Sequence, residues 1–249
     1  MKNTKKLKHL YIDAPLQENT EIETPKALAR RLSRVLRAKK GDKLALFNGE
    51  DGLFAAEILD EKAGQLRIDA CIKTLPENAF KAVLFIAMTK KDAMDRVYRQ
   101  ATEMGVNLIV PLVTDFTMVD KINMDRASTI LLEASEQCER LDIPKIAPIE
   151  KLEDAVARMA TEGQTIFWCA EHVGGSWLNS LHNNEHTHYV KSGDAILIGP
   201  EGGFSENERA SLAAQKHVHP VGLGAHILRV DTAVVAALSR YFEAVPIST

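Results

Sequence analysis

Two glycine-rich stretches in the C-terminal part of the chain carry the residues best suited to chemistry. The first reads Gly199-Pro-Glu-Gly-Gly-Phe-Ser205 and follows a short apolar run, and the second occupies residues 221–233. Glycines allow a backbone to approach a ligand closely and leave its N–H groups free to donate hydrogen bonds. We therefore expect both stretches to hold a ligand largely through backbone atoms, the plain alternative being two ordinary strand-to-helix turns.

The spacing of the surrounding residues excludes several familiar sites. No Gly-Lys-Ser/Thr follows the first stretch, and neither stretch matches GxGxxG, so nucleotide phosphate binding is not favoured. The sequence VGGSW at 173–177 is not a GxSxG nucleophile elbow. His182, His186 and His188 lie close together, but no cysteine or ordered carboxylate accompanies them. We expect no metal.

Alternating patterns along the chain predict the elements that position these loops. Buried-strand runs lie at 82–88, 108–112, 165–169, 195–199 and 218–223, and helical patterns at 92–104, 124–141, 152–160, 206–216 and 229–244. Such alternation is typical of a mostly parallel α/β sheet covered by helices. Ligands in such sheets bind beyond the carboxyl ends of the strands, where both loops fall. Ser205, with Glu208 three residues later, predicts a capping box at the next helix.

The first part of the chain predicts a separate small β-barrel that carries one helix. Strand patterns at 43–47, 54–59 and 65–73 are separated by turn signals. Thr24 is the predicted N-cap of the helix, Pro25 its first residue, and Gly41 its end. The Leu75-Pro76-Glu77-Asn78 segment is the best linker, so the predicted domains are residues 1–74 and 75–249.

Positive charge is concentrated on the predicted N-terminal helix, although the chain as a whole has a net charge of −3. Helical spacing places Arg30, Arg34 and Arg37 on one face, and no acidic residue interrupts the sequence from Lys26 to Ala38. A local basic stripe can bind phosphate groups even on an acidic chain. We expect RNA contact there, with a solvated helix surface as the alternative.

Cysteine usage and hydropathy predict the compartment. The three cysteines, Cys71, Cys138 and Cys169, are far apart and form neither a disulfide framework nor a zinc site. The basic N-terminus is not followed by the apolar region of a signal peptide, and no apolar run is long enough to cross a bilayer. We expect a cytoplasmic protein with no membrane partner.

Five segments of the chain resemble the RsmE family of SPOUT-class methyltransferases, and they follow one another along the chain in the order that the family shows. They are LIGPEGGFS (197–205), GLGAHILRVDTA (222–233), RVLRAKKGDKLALFNG (34–49), MDRVYRQATEMGVNLIVPL (94–112) and EASEQCERLDIPKI (133–146). The resemblance implies methylation of N3 of a uridine in 16S rRNA of the small ribosomal subunit, with S-adenosylmethionine (SAM) as cofactor. It further implies a C-terminal SPOUT α/β domain with a trefoil knot, an N-terminal PUA-like β-barrel and a homodimer.

The resemblance also assigns site residues one by one. Arg229 would face the target base or the RNA, and Arg34 and Arg37 match basic positions expected to contact RNA. The residues that would hold SAM are Leu197, Ile198, Gly199, Glu201, Gly202, Gly203, Leu223, Gly224, Ile227 and Leu228. The chain departs from the family pattern at Gln100 and Phe116, which replace a lysine and an arginine, and at His226, Val230 and Asp231, which replace an arginine, a threonine and a glutamate.

Methylation of uridine N3 requires that a proton leave that nitrogen. Arg229 is the expected group to stabilise negative charge on the uracil oxygens, and His226 or Asp231 is the expected proton acceptor. Two other functions remain open from the residues. One is methylation of another RNA or of a ribose 2′-oxygen, and the other is a catalytically weak RNA-binding ribosome assembly factor.

Overall fold

The computed structural model describes residues 7–75, 80–117, 119, 121–170, 182–183, 186–187 and 190–245. The chain forms two compact units. The first comprises Met1–Ala79 and Ser135–Ile143, and the second comprises Phe80–Ala134 and Pro144–Thr249. The linker predicted at residues 75–78 lies outside the described residues except for Leu75.

The first unit is built on a five-stranded sheet of mixed direction. Its strands are β1 (His9–Tyr11), β2 (Thr20–Glu23), β3 (Lys43–Phe47), β4 (Leu53–Ile58) and β5 (Gln65–Lys73), in the order β1-β3-β4-β5-β2. β1 is parallel to β3, and the other neighbours are antiparallel. The helical segment between β2 and β3 contributes Leu28 and Leu32 to the core, where they pack with Leu46, Ile58 and other inward-facing strand residues.

The N-terminal helix differs from its prediction at both ends. Pro25 is the N-cap, α1 spans Lys26–Arg30, and a π-helical turn follows at Arg31–Val35. Arg37 has a φ of 52°, in the left-handed region, so the helix ends before it and well before Gly41. The prediction of Thr24 as N-cap was therefore wrong, and Arg37 does not lie on a helical face with Arg30 and Arg34.

Residues 135–143 complete the first unit. Glu136 is buried and accepts two hydrogen bonds from the Arg31 guanidinium, at 2.8 and 2.6 Å, and one from the Tyr11 backbone N–H at 2.9 Å. Leu141 packs against Phe47 and its neighbours. A buried carboxylate is tolerated when it is paired and hydrogen-bonded in this way. Residues 135–138 of this segment form the last turn of a helix that begins at Met124 in the second unit, and no sequence pattern indicated their place.

The second unit contains a sheet whose pairings are all parallel. Its strands are β6 (Val83–Ala87), β7 (Leu108–Val113), β8 (Lys145–Ile146), β9 (Glu150–Lys151), β10 (Ile166–Cys169), β13 (Ala195–Ile198) and β14 (Val218–Val221). The order is β14-β10-β13-β6-β7-β8, and β9 also pairs with β7. The five predicted buried strands are confirmed, and the two-residue strands were missed because they carry no periodic signal. A short hairpin, β11 (His182–Asn183) and β12 (His186–Thr187), stands apart.

Helices connect and cover these strands. They are α2 (Lys91–Glu103), α3 (Met124–Cys138), α4 (Leu152–Glu162), α5 (Glu206–Ala213) and α6 (Val230–Glu243). α3 ends before residue 141 because Glu139 adopts a left-handed φ of 61°. This α/β unit has the fold predicted from the alternating pattern, and the trefoil knot stays a prediction. No helix among the described residues is long and apolar enough to span a membrane.

Candidate active site

The strand order of the second unit brings the two glycine-rich stretches together. β10 lies between β14 and β13, parallel to both, with Trp168 in register with Leu197 on one side and Pro220 on the other. The first glycine loop (residues 199–205) leaves β13, and the second glycine loop (residues 222–229) follows β14. Both therefore flank the carboxyl end of β10, which is where ligands bind in such sheets.

A cleft of about 550 Å³ opens between the two loops. The strand end contributes Trp168, Cys169 and Ala170 to its lining. The first glycine loop and its helix contribute Ile198, Gly199, Pro200, Glu201, Gly202, Gly203, Phe204 and Arg209, and the second contributes Leu223, Gly224, His226, Ile227, Leu228, Arg229, Val230 and Ala233. The volume and the mixture of apolar side chains with free backbone are typical of cofactor sites.

The first glycine loop is fixed by hydrogen bonds at both ends. Gly203 has a left-handed φ of 69°, and its N–H donates to the Pro200 carbonyl at 2.9 Å. Ser205 and Glu208 form the predicted capping box, since each accepts from the other's backbone N–H. The Arg209 guanidinium donates a hydrogen bond to the Phe204 carbonyl at 2.6 Å. These contacts hold the loop backbone in one conformation before any ligand arrives.

Phe204 anchors this loop to the core beneath the cleft. Its ring is buried and contacts the Trp168 ring edge-to-face, with centroids 5.9 Å apart. A Cβ built on Gly199 would lie only 2.8 Å from the Phe204 ring. Gly199 is therefore required for packing between the loop and its own anchor, in addition to any ligand contact.

The second glycine loop is far more open. Residues 224–227 are exposed, and the Ile227 side chain is 77% exposed although it lines the cleft. Gly224 has a φ of +136°, and nothing lies within 4 Å of a Cβ built on it. Arg240 of α6 holds the start of the loop by donating to the Gly222 carbonyl at 3.0 Å. The open side of this loop has room for a ligand to pack against its backbone.

Two of the three predicted catalytic residues line the cleft. Arg229 is the N-cap of α6 and is exposed, and His226 is exposed two residues beyond Gly224. Among the described residues, no ion pair or hydrogen bond engages either side chain. The Arg229 guanidinium is therefore available to an anionic group in the cleft, and the His226 imidazole is available to donate or accept a proton.

Asp231, the third predicted catalytic residue, is held elsewhere. It is not part of the cleft lining, and its carboxylate accepts from Arg96 Nε of α2 at 2.7 Å. Burial raises the pKa of Asp231, but the hydrogen bond and charge of Arg96 outweigh burial, so that the pKa lies below its usual value. Asp231 stays ionised and paired with Arg96, so it is a poor proton acceptor. The same pairing links the start of α6 to α2.

Trp168 and Cys169 form the floor of the cleft. The Trp168 indole N–H is buried, and no hydrogen-bond acceptor for it exists within the described residues. A buried donor without a partner costs free energy unless a ligand or water satisfies it. Burial raises the pKa of the Cys169 thiol, so this cysteine is neutral and unsuited to nucleophilic catalysis.

The sequence assigned neither Trp168 nor Cys169 to the site, because strand order cannot be read from one sequence. Of the residues assigned to SAM binding, all but one line the cleft. Leu197 is the exception, since it is fully buried in the strand behind it. Glu171 and residues 173–177 lie outside the described residues.

The basic residues predicted to contact RNA belong to the first unit. Arg30, Arg34 and Arg37 are all exposed, and none of them enters an ion pair or hydrogen bond of its side chain within the described residues. Arg31, between them, is instead committed to Glu136. The three free guanidinium groups support a phosphate-binding surface on this unit, although α1 contributes only part of it.

Comparison with known proteins identifies the family. An RNA methyltransferase domain model matches residues 76–241, and an RNA methyltransferase PUA domain model matches residues 32–71. Ribosomal RNA small subunit methyltransferase E from Rickettsia conorii is 32% identical over 94% of this chain and 95% of its own length. The chain belongs to the ribosomal RNA small subunit methyltransferase E family. The corresponding enzyme from Synechocystis is 30% identical, over 84% of this chain and 68% of its own length.

Solved structures extend the family relationship to the fold. A putative methyltransferase from Legionella pneumophila, in complex with the bound cofactor SAM, is 29% identical. It has a TM-score of 0.80 and covers 96% of this chain and 98% of its own. A family enzyme from Neisseria gonorrhoeae bound to S-adenosyl methionine superposes with a TM-score of 0.81 over 96% of this chain and 98% of its own, at 23% identity. The α/β unit is thus of the SPOUT type, and the first unit is PUA-like.

Proposed function

We propose that this member of the family is a SAM-dependent rRNA methyltransferase that methylates N3 of a uridine in 16S rRNA of the small ribosomal subunit. The observation that carries the proposal is the cleft between the two glycine loops. Arg229 lines it, Trp168 lies at its floor, and no described residue pairs with the Arg229 guanidinium or with the buried Trp168 indole N–H. The methyltransferase relatives, over nearly the whole chain, supply the reaction class.

The cleft residues fit SAM. The Trp168 N–H is a buried donor with no acceptor among the described residues, and the glycine loops offer backbone groups to a polar and partly apolar ligand. Ile198, Gly199, Glu201, Gly202, Gly203, Leu223, Gly224, Ile227 and Leu228 would hold it, with Leu197 supporting them from the core. SAM supplies an electrophilic methyl group, and the protein must place the acceptor in line with it and exclude water.

Gly202 allows a direct test of the cleft as the SAM site. The atoms nearest to a Cβ built there belong to Phe116, at an ordinary distance of 3.6 Å or more, so the protein should tolerate a side chain. We expect Gly202→Val to remain folded, by circular dichroism and thermal melting, while calorimetry shows no SAM binding. A folded Gly202→Val variant with wild-type affinity would contradict the assignment of this loop.

The acceptor chemistry falls to Arg229 and His226. Negative charge develops on the uracil oxygens as the N3 proton leaves, and the Arg229 guanidinium, which no described residue pairs with, lies at the cleft and can stabilise this charge. His226 lines the same cleft and takes the proton, because Asp231, the other sequence-based choice, is paired with Arg96. The methyl-transfer rate, measured with saturating SAM, should therefore fall in His226→Gln.

Arg30, Arg34 and Arg37 bind the RNA backbone in this proposal. Phosphate contacts by arginines release counterions, so they make affinity fall with salt concentration. Replacing Arg34 and Arg37 by Ala should weaken RNA binding and flatten its salt dependence while SAM affinity stays unchanged. An unaltered salt slope would mean that these side chains are merely solvated.

The remaining features of the proposal follow from the family resemblance. They are a homodimer, a trefoil knot in the SPOUT unit and a cytoplasmic location, where the small ribosomal subunit is the partner. Sedimentation of the purified protein tests the homodimer, which should have twice the chain mass of 27.5 kDa.

The reaction itself is tested by identifying its product. The protein is incubated with labelled SAM and small ribosomal subunits that lack modifications, and the nucleosides are then separated by mass spectrometry. We expect 3-methyluridine. A ribose 2′-O-methylated nucleoside would establish the first alternative, and SAM binding without transfer to any RNA would favour an assembly factor.

A further inference from the structure

The short loop after β7 exposes an aromatic ring that the proposed reaction has not yet used. Phe116 is 51% exposed, and it occupies one of the positions at which the chain departs from the family pattern. Single exposed apolar residues are normal on protein surfaces and need no explanation by themselves. The surroundings of Phe116 distinguish it from such residues.

The loop that carries Phe116 is held firmly on both sides. The Asp115 N–H donates to Glu208 Oε1 at 2.9 Å, and Ser205 Oγ donates to Asp115 Oδ2 at 2.5 Å. The Thr114 N–H donates to Thr117 Oγ1 at 3.0 Å across the turn. The ring is therefore presented from a backbone tied to the capping box of α5, so its exposure does not result from a loose segment.

The same hydrogen bonds bring the ring against the cleft. A Cβ built on Gly202 would lie 3.6 Å from Phe116 Cβ, 3.7 Å from Cδ2 and 3.8 Å from Cγ. Gly202 lines the cleft, and the exposed Ile227 lines it from the second glycine loop. An apolar ring thus lies beside a residue of the cleft lining, although Phe116 is not itself part of that lining.

A uridine can present N3 to the cleft only if it is unpaired, because N3 lies on the Watson–Crick edge. An unpaired base loses its stacking neighbours, and aromatic side chains commonly replace them. We propose that Phe116 is the residue on which the target uracil stacks as its N3 edge enters the cleft. This inference rests on the proposed function, since it assumes that a base is the methyl acceptor.

The test separates the aromatic face from apolar bulk. Phe116→Leu keeps an exposed apolar side chain without a π-face, and Phe116→Trp keeps a π-face. We expect the Leu variant to lose about 10- to 100-fold in kcat/KM for RNA, the size of one base–aromatic stack, and the Trp variant to retain wild-type kcat/KM within about threefold. SAM affinity should be unchanged in both. Ile72→Ala is the matched control, because Ile72 is equally exposed, at 51%, and lies on β5 of the first unit.

A second measurement does not depend on turnover. The fluorescence of Phe116→Trp, corrected for the wild-type signal, should be quenched when an RNA fragment bearing an unpaired uridine is added, and the Ile72→Trp control should not respond. If the wild type transfers no methyl group to uridine N3, the proposed function fails, while this quenching still tests base stacking.

Two results would overturn the inference. One is a Leu variant whose kcat/KM for RNA lies within twofold of the wild type, together with unquenched Trp fluorescence. The other is a Leu variant whose sedimentation shows dissociation into smaller species, because Phe116 would then lie between two copies of this chain.

Discussion

The two glycine loops border one cleft but are built in opposite ways. The first is anchored by the buried Phe204, closed by the Ser205–Glu208 capping box and tied to Arg209. The second exposes residues 224–227 and is held at its ends, by Arg240 at Gly222 and by the Arg96–Asp231 pair at the start of α6. We infer that the first loop is a preformed cradle and that the second becomes ordered when SAM binds.

The largest expected difference between the loops concerns stability. Phe204→Ala removes a buried ring that packs on Trp168 and Gly199, so it should lower the free energy of unfolding by about 3–5 kcal/mol. Ile227→Ala removes an exposed side chain and should change the free energy of unfolding by less than about 0.5 kcal/mol. Chemical denaturation of both variants measures the comparison, and equal losses would show that the second loop is packed as firmly as the first.

The next largest effect concerns the catalytic rate. Arg229→Ala should lower the methyl-transfer rate about 10²- to 10³-fold, the usual loss when one charge-stabilising donor is removed. SAM affinity and melting temperature should stay at wild-type values, because the Arg229 side chain makes no hydrogen bond or ion pair within the described residues. Single-turnover kinetics with saturating SAM measure this rate. A variant that also melts earlier would assign Arg229 a structural role.

A smaller effect is expected at the floor between the loops. Trp168→Phe keeps an aromatic ring but removes the unpartnered N–H, so SAM affinity should fall about three- to tenfold, the value of one hydrogen bond. Stability without SAM should be unchanged or slightly higher, because the orphaned donor is gone. Calorimetry and thermal melting measure the two quantities. Lower stability with unchanged SAM affinity would show that Trp168 contributes to packing and not to SAM binding.

The smallest effect concerns the brace of the second loop. The lowered pKa of Asp231 means that its pairing with Arg96 stabilises the fold above the unfolded-state pKa and is lost as pH falls through the folded-state pKa. Asp231→Asn should therefore cost about 0.5–1 kcal/mol at pH 7 and less at an acidic pH below the ordinary Asp pKa of about 4, since the pair is partly exposed. Urea titrations at both pH values measure the difference, and a pH-independent loss would exclude the ion pair as its cause.

The sequence predicted the five longer strands, the helices and the capping box of the second unit because these follow from periodicity and local chemistry. It did not predict that Ser135–Ile143 joins the first unit, because that depends on Glu136 meeting Arg31 at a separation of 105 residues. The early end of the N-terminal helix was also missed, because nothing in the sequence marks Arg37 for a left-handed φ.

The site was predictable where it depends on glycine loops and unpredictable where it depends on strand order. Both loops were identified from residue types, since glycine-rich turns leave a signal in the sequence, and Arg229 was identified from the family resemblance. Trp168 and Cys169 were assigned no ligand, because only the order β14-β10-β13 places them between the loops. Asp231 was interpreted as a base because its pairing with Arg96, 135 residues away, cannot be read from the sequence.

Amide hydrogen exchange of the two loops, with and without SAM, tests the central claim most directly. The cleft between them binds SAM in this account, the first loop being preformed and the second open. We expect slow exchange at residues 199–205 in the free protein with little change on adding SAM, and fast exchange at residues 222–229 that slows when SAM is added. Exchange at residues 222–229 that is unaffected by saturating SAM would contradict the account.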